Sequence, residues 1–290
     1  MTAALYVVAT PLGNLGDITL RALETLRSVD AIACEDTRHS RHLLDHYEIR
    51  APLIAVHEHN EAEAAQKLLR LLATGKCIAL VSDAGTPGIC DPGARVVSAV
   101  RAAGYAVRPL PGANAAIAAL SVSGFDAARV LFCGFLPVKA AARQQAITEL
   151  GGQAAALVFY EAPHRIVATV ADLATLLAGE REVLLARELT KLFEQSVRLP
   201  LAGLPAWLAA DENHQRGEFV LVIAPPPAAS AQAAQWVDAQ RTLRLLLDEL
   251  PLKQAVALAV RLTGVARNTL YEQALAWRSA ADAASQPTRL

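Results

Sequence analysis

The sequence predicts two α/β domains followed by a small helical module. Three observations carry this. Strand-sized apolar runs alternate with helix-sized segments through residues 5–111. Beyond residue 124 the strand candidates change texture, and Gln195–Leu199 alternates like an edge or hairpin strand. After Ala224 a Pro/Ala-rich stretch gives way to helical segments alone. A chain of 290 residues has room for this arrangement, and 53% hydrophobic residues supply its cores.

In the first domain the strands are Leu5–Ala9, Asp30–Cys34, Leu53–Val56, Cys77–Ser82 and Tyr105–Val107. The helices between them are Thr19–Ser28, Arg38–Tyr47, Glu61–Ala73 and Gly93–Ala103. Pro111–Val122 reads as a helix leading away from the first sheet. In the second domain Val130–Gly134, Ala155–Tyr160, Glu182–Arg187 and Phe219–Ala224 read as strands of a mixed sheet. Ala140–Leu150, Arg165–Leu177 and Leu204–Ala210 read as its helices. Pro225–Gln232 has linker composition. Trp236–Glu249, Pro251–Leu262 and Ala266–Arg278, with a turn at Thr263–Val265, form a helix-turn-helix pattern, or a helical hairpin that packs on the main body. The expected divisions are 1–123, 124–227 and 228–290, with the first boundary inside Gly124–Arg129.

Three loops stand out. Val81–Gly93 follows the apolar run Ile78–Val81 and crowds Asp83, Gly85, Thr86, Pro87, Gly88, Asp91, Pro92 and Gly93 together before a helix. Glycine permits close backbone approach, and Asp91 is placed to cap that helix. Thr10–Asp17 follows the first strand, and Pro109–Asn114 follows the fifth. Right-handed crossovers bring all strand ends to one side, so the three loops should line one sheet edge. Neither GxGxxG nor GxxxxGK[ST] occurs. The ligand is therefore expected to be gripped by backbone groups of several loops rather than by one phosphate-binding helix.

A net charge of −1 excludes a general polycation. Only the tail leans basic: within Pro251–Arg278, Lys253, Arg261, Arg267 and Arg278 outweigh Glu272, an excess of +3. Cys34, Cys77, Cys90 and Cys133 are too far apart for a metal knuckle and read as reduced thiols. With no signal peptide and no membrane span in the sequence, a cytoplasmic protein is expected.

Polar candidates follow the strands. Glu35, Asp36 and Arg38 are either site residues or a capping cluster with one ion pair. His57, Glu58, His59 and Asn60 are either site residues or solvated loop polarity. Arg187, Glu188 and Lys191 come directly after an apolar run, so they either pair with each other or face a cleft.

Nine segments fall in order along the chain: TPLGNLGDI (10–18), CEDTR (34–38), HEHNE (57–61), SDAGTPGICDPG (82–93), PLPGANA (109–115), GFLPVK (134–139), FYEAPHR (159–165), ARELTKLFE (186–194) and GEFVLVI (217–223). Together they resemble the ribosomal RNA small-subunit methyltransferase I family, which has the tetrapyrrole-methylase fold. The resemblance covers essentially the whole chain. Gly88 departs from the bulkier apolar residue often found there, and the last helix is less basic than in many relatives. The resemblance implies a cofactor cleft between two α/β domains, S-adenosylmethionine as methyl donor, and a homodimer. It also implies transfer to the 2′-hydroxyl of a cytidine in the decoding region of 16S ribosomal RNA, within the small subunit.

On this basis Pro11, Leu12, Gly13, Asp83, Ala84, Gly85, Thr86, Pro87, Asp91, Gly112, Ala113, Gly134 and Phe135 are expected around the cofactor. Arg187, Glu188, Lys191 and Glu161 are the catalytic candidates; Arg38, His59, Asn60, Lys139 and Arg165 are the substrate-binding ones. Methyl transfer is chiefly a matter of alignment, aided by an acceptor for the hydroxyl proton, and does not require a metal. Two alternatives stand beside this: a methylase of a small molecule such as a tetrapyrrole, and a nucleic-acid-binding regulator acting through the tail. The +3 excess is small for independent duplex binding.

Overall fold

The computed structural model describes residues 3–57 and 59–284. Glu58 and the final residues 285–290 of the expected tail module lie outside the described residues. The first sheet consists of β1 (Ala4–Val8), β2 (Ala31–Cys34), β3 (Leu53–Ala55), β4 (Ile78–Leu80) and β5 (Ala106–Leu110), all parallel, in the order β3-β2-β4-β1-β5. The helices α1 (Leu20–Ser28), α2 (Thr37–His46), α3 (Glu61–Ala73) and α4 (Ala94–Ala102) connect them. The inner strands β1, β2 and β4 are buried on both faces, which is why they read as continuous apolar runs. Tyr6, Val8, Ile32 and Cys34 share one core with Leu26 of α1 and Leu44 of α2. Leu5, Ala33, Ile78 and Leu80 point the other way, onto Leu68 and Leu72 of α3 and Val96 and Val100 of α4. The fifth strand runs longer than the sequence predicts, through Pro109. Proline is tolerated there because β5 is an edge strand bonded only to β1.

Asn114, not Pro111, starts α5 (Ala115–Ser123): its side chain accepts the Ile117 N–H at 3.1 Å. α5 leaves the first sheet and packs Ala116 and Ala119 on Val158, Leu184, Val220 and Val222. Those residues belong to β7 (Ala156–Glu161), β8 (Glu182–Arg187) and β10 (Phe219–Ile223). With β6 (Val130–Phe135) and β9 (Gln195–Pro200) they form a second sheet in the order β6-β7-β10-β8-β9. It is mixed: β6 and β7 are parallel, and the other pairs are antiparallel. Its helices are α6 (Ala140–Gly151), α7 (Ile166–Leu176) and α8 (Leu204–Ala210). Arg198 on the edge strand β9 pairs with Glu182 and donates to the carbonyls of Ser123 and Gly124, tying down the end of α5.

Of the described residues, those within 1–148 and 155–224 form one compact unit holding both sheets, and those within 149–154 and 225–284 form another. In the second unit α9 (Ala228–Glu249), α10 (Leu252–Thr263) and α11 (Arg267–Ala284) share a core of their own, including Ala239, Leu243, Val256 and Leu270. The expected linker is corrected here. Only Pro225–Pro227 precede the helix, because the Ala-rich segment that follows has high helix propensity and Pro227 stands at its N-cap. The expected turn is present, with Gly264 at φ +70 ending α10. Among the described residues no helix is long and apolar enough to cross a membrane.

Candidate functional site

Because β4, β1 and β5 are neighbours, the loops that follow them stand side by side. They are tied together by backbone and hydroxyl bonds. Thr10 and Gly85 exchange N–H···O bonds of 2.9 and 3.0 Å, and the buried Thr10 hydroxyl donates to the Ser82 carbonyl at 3.0 Å. The Thr86 hydroxyl donates to the Ala113 carbonyl at 3.0 Å. Gly85 is held at φ +79, a conformation natural to glycine.

The far end of the loop after β4 is not capped by Asp91, as the sequence suggested. Glu61, 7% exposed at the start of α3, does this instead. Its Oε1 accepts the N–H groups of Gly93, Arg95 and Val96 at 2.9, 2.8 and 3.4 Å. A carboxylate at a helix N-terminus satisfies orphan donors and complements the helix dipole. Glu61→Ala is expected to cost about 1–2 kcal/mol of stability, and Glu61→Gln, which keeps an acceptor oxygen, less; urea melts of the two variants check this. Asp91 is thereby free of capping duty. Burial pushes its carboxyl upward, a hydrogen bond from Ser82 opposes this, and the charge of Asp83 adds to the rise.

Two cavities open along these loops. The first, about 270 Å³, lies between the loops and the second sheet. Leu12, Gly85, Thr86, Ile89, Cys90 and Asp91 form one side, and Phe135, Tyr160, Glu161, Leu189 and Val220 the other. Tyr160 braces it, its hydroxyl accepting the Ala116 N–H at 3.2 Å. The second, about 550 Å³, is lined by Thr10, Pro11, Gly13, Asp83 and, from α2, His39, Ser40 and His42. Leu12, Ala84, Lys191 and Glu218 line both.

Where the cavities adjoin, Lys191 Nζ contacts Glu188 Oε1 at 3.0 Å and Glu218 Oε2 at 2.8 Å. Burial would raise Glu188, but the Glu218 N–H and the Lys191 ammonium hold its carboxyl below the usual range. Burial would lower Lys191, but the two carboxylates keep it above its usual value. The chain is strained to build this cluster: Glu188 and Thr190 sit at φ +50 and +66. Close glycines admit it. A Cβ on Gly13 would fall 2.2 Å from Lys191 Cγ, and one on Gly217 2.4 Å from Glu188 Cγ.

Comparison with known proteins places this geometry. Residues 4–205 match the family model for tetrapyrrole (corrin/porphyrin) methylases, and residues 233–278 match that for the RsmI C-terminal HTH domain. A protein of Pseudomonas aeruginosa named ribosomal RNA small subunit methyltransferase I is 50% identical over 93% of this chain and 96% of its own. The chain belongs to the ribosomal RNA small subunit methyltransferase I family. The member from Escherichia coli O157:H7 is 49% identical over 93% of this chain and 94% of its own. Among solved structures, cobalt precorrin-4 methyltransferase CbiF has the same fold, with a TM-score of 0.58 at 16% identity over 77% of this chain and 95% of its own. A uroporphyrin-III C-methyltransferase from Thermus thermophilus, complexed with S-adenosylhomocysteine, gives 0.54 at 17% identity, covering 76% of this chain and 97% of its own.

In this chain the sequence-predicted residues divide. Leu12, Ala84, Gly85, Thr86, Asp91 and Phe135 line the first cavity, and Pro11, Gly13 and Asp83 the second. Pro87, Gly112, Ala113 and Gly134 line neither cavity; Gly112 packs against Ala9, and Gly134, at φ +63, against Cys90 Sγ. Glu161 and Lys191 line cavities, and Glu188 orients Lys191 from behind.

The other polar candidates line neither cavity. Arg187 is buried and turned away, donating to the carbonyls of Arg216 and Phe193 and to Gln195. The Arg165 guanidinium donates to the Leu136 carbonyl and lies 3.2 Å from Glu161. Arg38, its side chain 92% exposed, pairs with the capping Asp36. Asn60 spends its amide inside its own turn, on the His57 N–H and the Ala55 carbonyl. Neither cavity is lined by Arg38, His59, Asn60, Lys139 or Arg165. The residues that sequence reasoning missed are Tyr160, Glu218, His39 and His42. The first two lie within quoted motifs, and the histidines follow CEDTR at helical spacing.

Proposed function

We propose that this protein methylates the 2′-hydroxyl of a cytidine ribose in the decoding region of 16S ribosomal RNA, within the small ribosomal subunit. It uses S-adenosylmethionine and works as a cytoplasmic homodimer. One observation carries the reading. The likeness to proteins named ribosomal RNA small subunit methyltransferase I extends through the helical module, whereas the tetrapyrrole methylase structures cover about three quarters of the chain.

The first cavity fits the cofactor. Gly85 leaves its wall without a side chain, Leu12, Ile89, Phe135 and Leu189 offer apolar surface for a flat base, and Asp91 offers negative charge for a cationic ligand. When bound, S-adenosylmethionine supplies an electrophilic methyl group on a positively charged sulfur. The residues of the chain hold and align. Gly85 and Thr86 are fixed by the neighbouring loops, and Glu188 locks Lys191 where the cavities meet. Lys191, kept as an ammonium, attracts RNA phosphate or orients a hydroxyl but has no lone pair with which to take a proton.

The test is methyl mapping of 16S RNA from a strain lacking the gene, with tritiated-methyl assays on small subunits and on a porphyrinogen. One unmethylated cytidine ribose and label in the subunit are expected. Label in the porphyrinogen alone overturns the reading.

The helical module, with its small charge excess, serves in this reading as a tethered second contact that raises effective concentration on the subunit. Deleting 228–290 is expected to leave a folded, dimeric, cofactor-binding core, since each unit has its own apolar cluster, with poor activity on subunits. A monomeric or unfolded core would assign the module to bracing the dimer, and full activity would remove both roles.

A further inference from the structure

We infer that Glu218 receives the proton of the ribose hydroxyl, a role that rests on the ribose methylation proposed above. The two cavities share four residues, so a methyl group carried in one and an acceptor held in the other meet where Leu12, Ala84, Lys191 and Glu218 stand. Leu12 and Ala84 carry no titratable group. Lys191 is held as an ammonium by its two carboxylate partners. Glu218 remains. Its side chain is 76% exposed, and Lys191 Nζ lies 2.8 Å from its Oε2.

The other carboxylates are committed or misplaced. Asp83 lines the second cavity alone and accepts the Asp36 N–H at 3.1 Å. Asp91 and Glu161 line the first alone. Glu161 is also saturated by the Ala162 N–H, the Thr169 hydroxyl and Arg165. Glu188 lines neither cavity, and its Oε1 is taken by Lys191 and by the Glu218 N–H at 2.9 Å. Among the described residues Glu218 is the one carboxylate on both walls.

The step balances. The hydroxyl oxygen bonds the methyl carbon as the carbon–sulfur bond breaks and its electron pair goes to sulfur. The hydroxyl proton passes to Glu218, so one positive and one negative charge vanish together. Lys191 is the positioning partner: its contact with Glu218 fixes the carboxylate at the junction. The backbone supports the same placement, because the Glu188 N–H donates to the Glu218 carbonyl at 2.9 Å.

The experiment compares wild type, Glu218→Gln and Glu218→Asp on purified small subunits. S-adenosylhomocysteine affinity is measured by calorimetry and subunit affinity by filter binding. Glu218→Gln is expected to lower kcat by about 100-fold or more, the scale of a lost general base, with both affinities within roughly threefold of wild type. Glu218→Asp is expected to recover part of the rate and to keep the acidic limb of the pH–rate profile, which Glu218→Gln loses. A fall of less than about tenfold in Glu218→Gln overturns the inference, set against the 10²–10⁴-fold range of general-base effects. So does an affinity loss that accounts for the rate, or an Asp variant no better than Gln. A wild type that labels no ribose overturns the ribose-methylation reading itself; a labelling wild type beside an active Gln variant overturns only the role of Glu218.

Discussion

Lys191→Ala is expected to lower turnover on small subunits about a hundredfold while changing cofactor affinity far less, because misplacing groups in an alignment-driven reaction by about an ångström has effects of that size. Its ammonium touches Glu188 and Glu218 at once, at the seam of two cavities. Truncation leaves two carboxylates facing each other without their shared cation, and they move apart. The stem is as closely fitted as the charge, since Gly13 is bare where Lys191 Cγ passes. Single-turnover rates measured beside calorimetric affinity for S-adenosylmethionine check this. A wild-type rate would remove Lys191 from the machinery.

Gly85→Val is expected to abolish measurable cofactor binding, a loss of about 100-fold or more if the backbone shifts by even an ångström. Gly85 sits at φ +79, where a β-branched residue is strained by about 1–3 kcal/mol. Its Cβ would lie 3.3 Å from Leu12 Cδ2, close enough that the β1 loop must give, and in ordinary contact, 3.6 Å, with the Ala113 carbonyl. The Thr10–Gly85 bonds that bind the β1 and β4 loops together would break or bend with them. Calorimetry on a variant shown to be folded by its melting transition decides the matter, and undiminished affinity would place the cofactor elsewhere.

Particular residues show why some of this was legible in advance. Leu5 and Tyr6 face opposite cores, and a run buried on both faces can only be a central strand, so the first sheet could be read from its apolar runs. The three loops could be read because glycine and proline after a strand announce a turn, and parallel strands end on one side. Composition misled at Pro225–Gln232, where prolines suggested a linker and the alanines behind them formed a helix.

The alternation of strands and helices, the three glycine- and proline-rich loops and the family were all legible in the chain alone. These depend on periodicity and on turn chemistry between near neighbours, or on motifs preserved in order. Which polar groups are free depends on contacts made by the folded chain. Glu61 caps a helix more than thirty residues away, not Asp91 three residues before it. Arg187 and Arg165 spend their guanidinium groups on distant carbonyls, while Glu218, just before the strand that begins at Phe219, stands at the seam of the two cavities. A charged side chain takes whatever partner the fold brings within about 3 Å, because leaving it buried and unpaired is costly, and that partner is chosen by contacts far apart in the chain.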